Sequence, residues 1–448
     1  MKSGRMLSLL ALAAVVLLAM AHDATAECGS RRVRKEIHDL TPSEMQSLVN
    51  GLKTLYTNGV GKYYVDMHVN MNTDAHNTPQ FLPYHRLMVW KFEAELLKVA
   101  PGLSGLPYWD ASYQASNPAS SFVFREDVFG AATNGCLTGS FAGLPSTASG
   151  IAGCVKRSPQ PNFTLYSPEL ILGTMTASDS YASFERSLEY GQHASVHNYV
   201  AGNMGNVLFS PSDPIFWLHH SAVDYYWAKW QGLNNNANYN KYNGQHKGRD
   251  VSPSNVLADQ PVSFMLDYWT NMCYQYQDPI NAPSGKAPFA LGAKGDTPSP
   301  TTTGSASPTD TNSSNSTTSG NATATTSGAP SATATPAAQK NITIPSGLTD
   351  EFIKQFQLNS TQAARVHDMV VSFVNHLNEQ IAAGQKVPTL ADLAMLSAGD
   401  VGANLPGGAN ATPTPTAAHS GAGTLTGADV RVGGAVAAVV AMVAGMLL

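Results

Sequence analysis

Residues 189–231, EYGQHASVHNYVAGNMGNVLFSPSDPIFWLHHSAVDYYWAKWQ, leave this chain few ways to fold. His193 and His197 stand four residues apart, so a helix places both on one face, about 6 Å from one another. Asp213 and Pro214 then offer an N-cap and a first helical residue. On the helix that follows, Phe216, His220, Val223 and Trp227 share a face. A buried polar ring without a partner is costly. Two helices that both turn imidazole toward an apolar interior are therefore expected to meet around it.

The segments upstream can supply the rest of such a core. Thr41-Pro42-Ser43-Glu44 reads as a capping box, and Met45, Leu48, Val49, Leu52 and Leu55 follow at helical spacing. Residues 63–68 fit a helix or a strand, and residues 70–80 read as loop. The run Phe81-Leu82-Pro83-Tyr84-His85 leads into a second strong helix. Its face carries His85, Met88, Val89, Phe92 and Leu96, and Pro101-Gly102 ends it. Residues 103–180, rich in Gly, Ser, Pro and Ala, predict long loops. Residues 184–200 predict a third helix and residues 214–230 a fourth. The fold class is mainly α: a four-helix bundle with long loops and histidines turned into its core.

A single histidine on an apolar face is most often a hydrogen-bonded core residue. Three features count against that here. His193 and His197 form a pair at ligand spacing, His220 projects from the next helix toward the same space, and His68, His76 and His85 repeat the count of three. All-imidazole sites suit zinc, copper, iron or nickel. Two sets of three neutral ligands favour a metal able to carry low charge, such as copper. Spacing alone leaves a pair of zincs open and does not choose between His219 and His220.

At these residues the chain resembles the tyrosinase and polyphenol oxidase family of type 3 dicopper proteins, in its secreted eukaryotic microbial form. Phe81-Leu82-Pro83-Tyr84-His85-Arg86 with Phe92-Glu93 is similar to the first copper motif, with His76 nine residues earlier and His68 as the third ligand. His193-x-x-x-His197 followed by 213–220, DPIFWLHH, and Asp224 resembles the second. The resemblance covers residues 30–280 and implies a cofactor of two copper ions, held by His68, His76 and His85 and by His193, His197 and His220. It makes O2 the co-substrate and a small phenol the substrate, with o-diphenols oxidised to o-quinones and monophenols hydroxylated at the ortho position. Phe216 is implied to pack beside the ligands, and Arg86 and Asp224 to support them or to form a buried ion pair.

Departures from the family pattern narrow the reading. Many tyrosinases carry Asn or Asp directly after the first histidine of the second site. That residue and a glutamate together hold a water that deprotonates the phenol. Here the position is Ala194. Glu189 matches the glutamate, with Glu185 a poorer match, and Asn198 is expected to compensate in part. The resemblance thus implies diphenol oxidation, by a catechol or o-aminophenol oxidase, more firmly than monophenol hydroxylation. A dioxygen carrier like haemocyanin and a non-catalytic surface glycoprotein are the rival classes. Asp74 stands where many fungal and plant members carry a cysteine that cross-links the second histidine, so no thioether forms.

The rest of the chain bears on location. Residues 1–26 have the pattern of a signal peptide: Lys2 and Arg5, an apolar run, then Ala24-Thr25-Ala26. The four cysteines, Cys28, Cys136, Cys154 and Cys273, allow three pairings. Cys136 with Cys154 and Cys28 with Cys273 are favoured because they close a short loop and tie the ends of the core. The catalytic domain is expected over 27–282. A Ser/Thr/Pro/Asn-rich stalk, too polar to fold, follows at 283–345. A small helical segment at 346–400 carries an apolar face (Val366, Met369, Val370, Phe373, Leu377, Ile381) that needs a partner. The helix near 360–384 is a candidate plug of the active site. Residues 401–448 read as a spacer and a GPI-type signal. Sequons stand at Asn162, Asn312, Asn315, Asn321, Asn341, Asn359 and Asn410. The expectation is a glycoprotein secreted to the cell surface and lipid-anchored to the membrane. A net charge of −5 with no basic run gives no sign of a nucleic-acid partner.

Overall fold

A computed structural model describes residues 28–131, 135–146, 153–281 and 339–389. The N-terminal leader, most of the stalk and the C-terminal signal, with Asn312, Asn315, Asn321 and Asn410, lie outside the described residues.

Helix α1 (Pro42–Thr57) begins as its sequence dictates. The Glu44 amide donates to the Thr41 hydroxyl, and the Thr41 amide donates back to the Glu44 carboxylate. It buries Met45, Leu48, Val49, Leu52 and Leu55. Helix α2 (Val60–Ala75) follows a left-handed Gly59. It continues through residues expected to form a loop. Asn70, Asn72, Thr73 and Asp74 are poor helix formers, but Tyr64, Val65, His68, Asn72 and Ala75 are buried along it, and burial overrides propensity. Helix α3 (Phe81–Val99) packs on α7 (Ile215–Asn236) at the centre, where Phe92 stacks on Trp217 at 3.5 Å.

Between them lie long connections with short 3₁₀ turns. They also contain a helix not expected from the sequence, α4 (Pro168–Ala177), which starts at proline like α1. The expected third helix is interrupted. It runs as α5 (Tyr181–Leu188), a π-helical turn (Glu189–His193) and α6 (Ala194–Val200). Gly191 sits in that turn with non-helical dihedrals, and a Cβ there would stand 3.0 Å from the Tyr166 hydroxyl. Asp213 is not the N-cap of α7, since Pro214 takes that place. The Asp213 carboxylate instead accepts from the Ile215 amide and forms a buried bidentate pair with Arg157 at 2.6 and 2.7 Å.

Strand β1 (Arg32–Arg34) pairs in parallel with β2 (Tyr274–Tyr276), bringing the two ends of the core together. The Cys28–Cys273 disulfide closes the same seam, and Cys136–Cys154 closes the short loop. Below the seam a buried network joins Arg34, Glu93, Arg86 and Asp224. Arg34 donates to Glu93 and Asp224, and Arg86 donates to Asp224 and Gln231.

The C-terminal unit, α8 (Val262–Leu266) being the last helix of the core, comprises α9 (Asp350–Gln355) and α10 (Ser360–Ala382). The apolar face of α10 finds its partner in the core. Phe373 lies over Gly173 of α4 so closely that a Cβ on that glycine would come within 2.1 Å of the ring. Among the described residues no helix is long and apolar enough to cross a membrane.

Candidate metal centre

Five elements deliver histidine to one buried space. α2 contributes His68 and, just past its end, His76, while α3 contributes His85. The π turn and α6 contribute His193 and His197, and α7 contributes His219 and His220. They fall into two groups, His68/His76/His85 and His193/His197/His219/His220. Within each group the candidate ligand atoms lie within 4.8 Å of one another. The groups share a wall, for His85 and His220 stack at 4.4 Å.

The local structure fixes which nitrogen faces inward. His76, His85 and His193 each turn Nδ1 back onto the carbonyl four residues earlier, that of Asn72, Phe81 and Glu189, at 2.8–3.1 Å. Side chains on a helix lean toward its N-terminus, which makes this bond available. His197 places Nδ1 on the Met204 carbonyl at 2.8 Å. Each carbonyl accepts a hydrogen bond from Nδ1–H, which leaves a lone pair on Nε2 of that ring. The Nε2 atoms of the two groups meet in the middle. His85 Nε2 lies 3.3 Å from His68 Nε2, His197 Nε2 lies 3.2 Å from His220 Nε2, and His193 Nε2 has no partner among the described residues. Converging lone pairs and an orphaned buried nitrogen fit a pair of soft or borderline cations, as the all-imidazole donor set does.

Hydrogen bonding distinguishes His219 from His220. His219 Nε2 donates to the His193 carbonyl at 3.2 Å, whereas His220 Nε2 faces His197. His219 thus braces the turn that carries His193. Burial pushes the rings well down from the ordinary imidazole range, His76 to about 4, with neighbouring histidines adding to the effect for His85, His193 and His220. All are neutral at pH 7, the form that binds metal.

Aromatic rings wall the site. Phe216 lies beneath both groups, 4.1 Å from His220 and 5.5 Å from His68, and Phe81 touches His85 and His193 at 4.7 and 4.6 Å. Beside the site Glu189 is buried and accepts from the Asn77 amide at 2.7 Å. A hydrogen bond joins it to the buried Glu185, and burial raises both carboxyls, Glu189 to about 7. Arg86 and Asp224 hydrogen-bond within the ion-pair network and to no histidine. Their work is structural.

The remaining wall was not legible in the histidine motifs. Phe356, at the end of α9, is buried with its ring 4.8 Å from His197 and 6.2 Å from His193. It packs with Phe352, Val207 and Ala194. The Thr349 hydroxyl donates to Asn198 Oδ1, and Gln357, in a left-handed conformation, accepts from Asn72 and Asn77. Asn198 is therefore engaged by the C-terminal unit. The residue over the metal space lies ahead of α10, the helix expected to cover it. α10 packs on the π turn through Ala363 and Val366 against Tyr190 and on α4 through Phe373, and the turn before it inserts.

Comparison with known proteins gives one family model, the common central domain of tyrosinase, matching residues 58–233. The chain is 29% identical over 293 residues to a tyrosinase-like protein of Diaporthe leptostromiformis, covering 56% of this chain and 74% of that protein. It is 31% identical over 234 residues to the tyrosinase of Streptomyces glaucescens, covering 44% of this chain and 82% of that protein. It is 30% identical over 229 residues to the haemocyanin of Enteroctopus dofleini, covering 46% of this chain and 8% of that protein.

Proposed function

Because the chain belongs to the tyrosinase family of type 3 copper proteins, we propose that it oxidises o-diphenols to o-quinones with O2 at two copper ions. His68, His76 and His85 would hold one ion, and His193, His197 and His220 the other. The observation that carries this reading is the convergence of imidazole nitrogens, with His76, His85, His193 and His197 held in one tautomer by backbone carbonyls. When bound, the copper pair supplies the activation of O2 and takes the two electrons from the phenol.

The protein's own residues do the rest. Phe81 and Phe216 keep water from the ligand nitrogens and hold the rings in place. Glu189, with Glu185, is a buried proton acceptor next to the loop that carries His76. Ala194 offers no hydrogen bond from the opposite side, so a water beside Glu189 is held from one side only. This favours o-diphenols, which need no ring hydroxylation, over monophenols such as tyrosine.

Phe356 keeps the site closed in the full chain, and removal of residues 339–389 opens it. The same cover favours a second reading, O2 binding without turnover. Oxygen uptake with catechol and with tyrosine tests both. A copper-loaded chain ending at Pro283 should consume O2 with catechol much faster than with tyrosine, and the full chain should be slower. Two bound coppers with no uptake on either substrate, before or after the cut, would leave only the carrier reading.

We place the protein outside the cell, glycosylated and lipid-anchored. Two disulfides suit an oxidising compartment, and Asn162, Asn341 and Asn359 are exposed. Loss of surface label after phospholipase treatment of intact cells would check the anchor.

A further inference from the structure

We infer that the entrance of this site selects phenols whose ring substituent ends in an anion, a carboxylate above all, with Lys247 as the residue that sets the preference. This rests on the reading of the site as a phenol oxidase and names the class of phenol.

Phe356 marks where an aromatic ring fits, since it is a benzene ring lying against His193 and His197. A substrate ring that displaces it must point its substituent along the space Phe356 borders. That space is a cavity of about 350 Å³, lined by His76, Asn77, His246, Lys247, Phe356 and Gln357 among others. It leads from a candidate metal ligand, His76, to the turn of the hairpin formed by Gln245–His246 and Arg249–Asp250.

The charges at this entrance are unequal in what they leave free. The remaining lining residues, Asn72, Thr73 and Thr78, are neutral. No carboxylate lines the cavity, and Asp74, beside it, is paired with the hairpin. One of its oxygens accepts from both His246 Nε2 at 2.8 Å and Lys247 Nζ at 2.5 Å. The Lys247 side chain is 66% exposed, and its ammonium has three N–H groups, of which this bond uses one. The hairpin is also held against the His76 loop at Gly244, which is in a left-handed conformation and where a Cβ would stand 2.5 Å from Pro79, so the backbone that carries Lys247 sits beside the rim. A carboxylate entering the cavity meets the ammonium protons that Lys247 has left, whereas a substituent ending in an ammonium meets Lys247 and His246 and no carboxylate among the lining residues.

Binding to the full chain carrying Phe356→Ala tests the inference without relying on turnover. Non-reacting probes of equal shape are compared by calorimetry: 3-phenylpropionate, and 3-phenylpropylamine as the cation. The acid should bind about fivefold more tightly, the ratio given by one partly exposed charge pair of about 1 kcal/mol. Lys247→Gln should erase the ratio and Lys247→Glu should invert it. Equal binding, tighter binding of the amine, a ratio that survives Lys247→Glu, or no binding of either probe would overturn the inference. Failure of the oxidase reading shows separately, as absence of O2 uptake with catechol, which carries no charged substituent.

Discussion

Substitution of Phe356 by alanine should convert a closed site into an open one without touching a histidine. The ring is buried between two sets of partners. Phe352, 4.3 Å away, belongs to the same C-terminal unit and stays beside it when the unit lifts, whereas His193, His197, Ala194 and Val207 belong to the core. Truncating a buried phenylalanine costs about 3–5 kcal/mol in all. With the Phe352 share removed, about 2–3 kcal/mol of docking is lost, a shift of roughly 30- to 150-fold in the ratio of open to closed molecules. Because the unit competes with substrate for one place, the gain falls on the apparent KM and leaves kcat unchanged. The assay is oxygen uptake against catechol concentration for wild type, Phe356→Ala and the chain ending at Pro283. The variant should approach the shortened chain. An apparent KM unchanged by Phe356→Ala, in a variant that melts cooperatively, would refute the view that this ring closes the site.

Three further outcomes follow from the geometry. His220→Gln should lower bound copper from two ions to one per chain, whereas His219→Gln, which loses only the bond to the His193 carbonyl, should keep both; elemental analysis separates them. Asp224→Asn leaves Arg34 and Arg86 buried without their shared counter-charge, so it should cost about 3–5 kcal/mol of stability, read from denaturant melts. The metal-free protein should lose stability as pH falls below about 6.5, the ordinary imidazole pKa. The folded pKa of each site histidine is depressed by burial, so the unfolded chain binds protons that the folded chain refuses. Each such histidine removes about 1.4 kcal/mol per pH unit below that point, so thermal midpoints that stay flat from pH 7.5 to 5.5 would contradict the burial.

How much of this was legible depended on whether the signal was local. The capping box at Thr41, the heptad-like run into α1 and the face of α3 all rest on side chains within one helix, and they appear as the sequence predicts. The histidine groups were legible because His193 and His197 share one helical face and the others occur at a repeated count. What a single segment does not contain was lost. The helical state of residues 70–75 depends on burial against α3, not on propensity. The π turn at 189–193 holds Gly191 in non-helical dihedrals beside Tyr166, a residue distant in sequence. The tie between Asp213 and Arg157 spans 56 residues, and that between Arg34 and Asp224 spans 190. Phe356 lies outside every metal motif. The one local hint was the apolar face of α10, which called for a partner, but that face says nothing about the turn ahead of it.

The metal content of the purified full chain tests the account most directly. Expressed with zinc, iron and copper all available, the protein should hold two copper ions per chain in its two groups of histidines. One copper, two zincs or no bound metal would contradict the central claim that these imidazoles form a dicopper site.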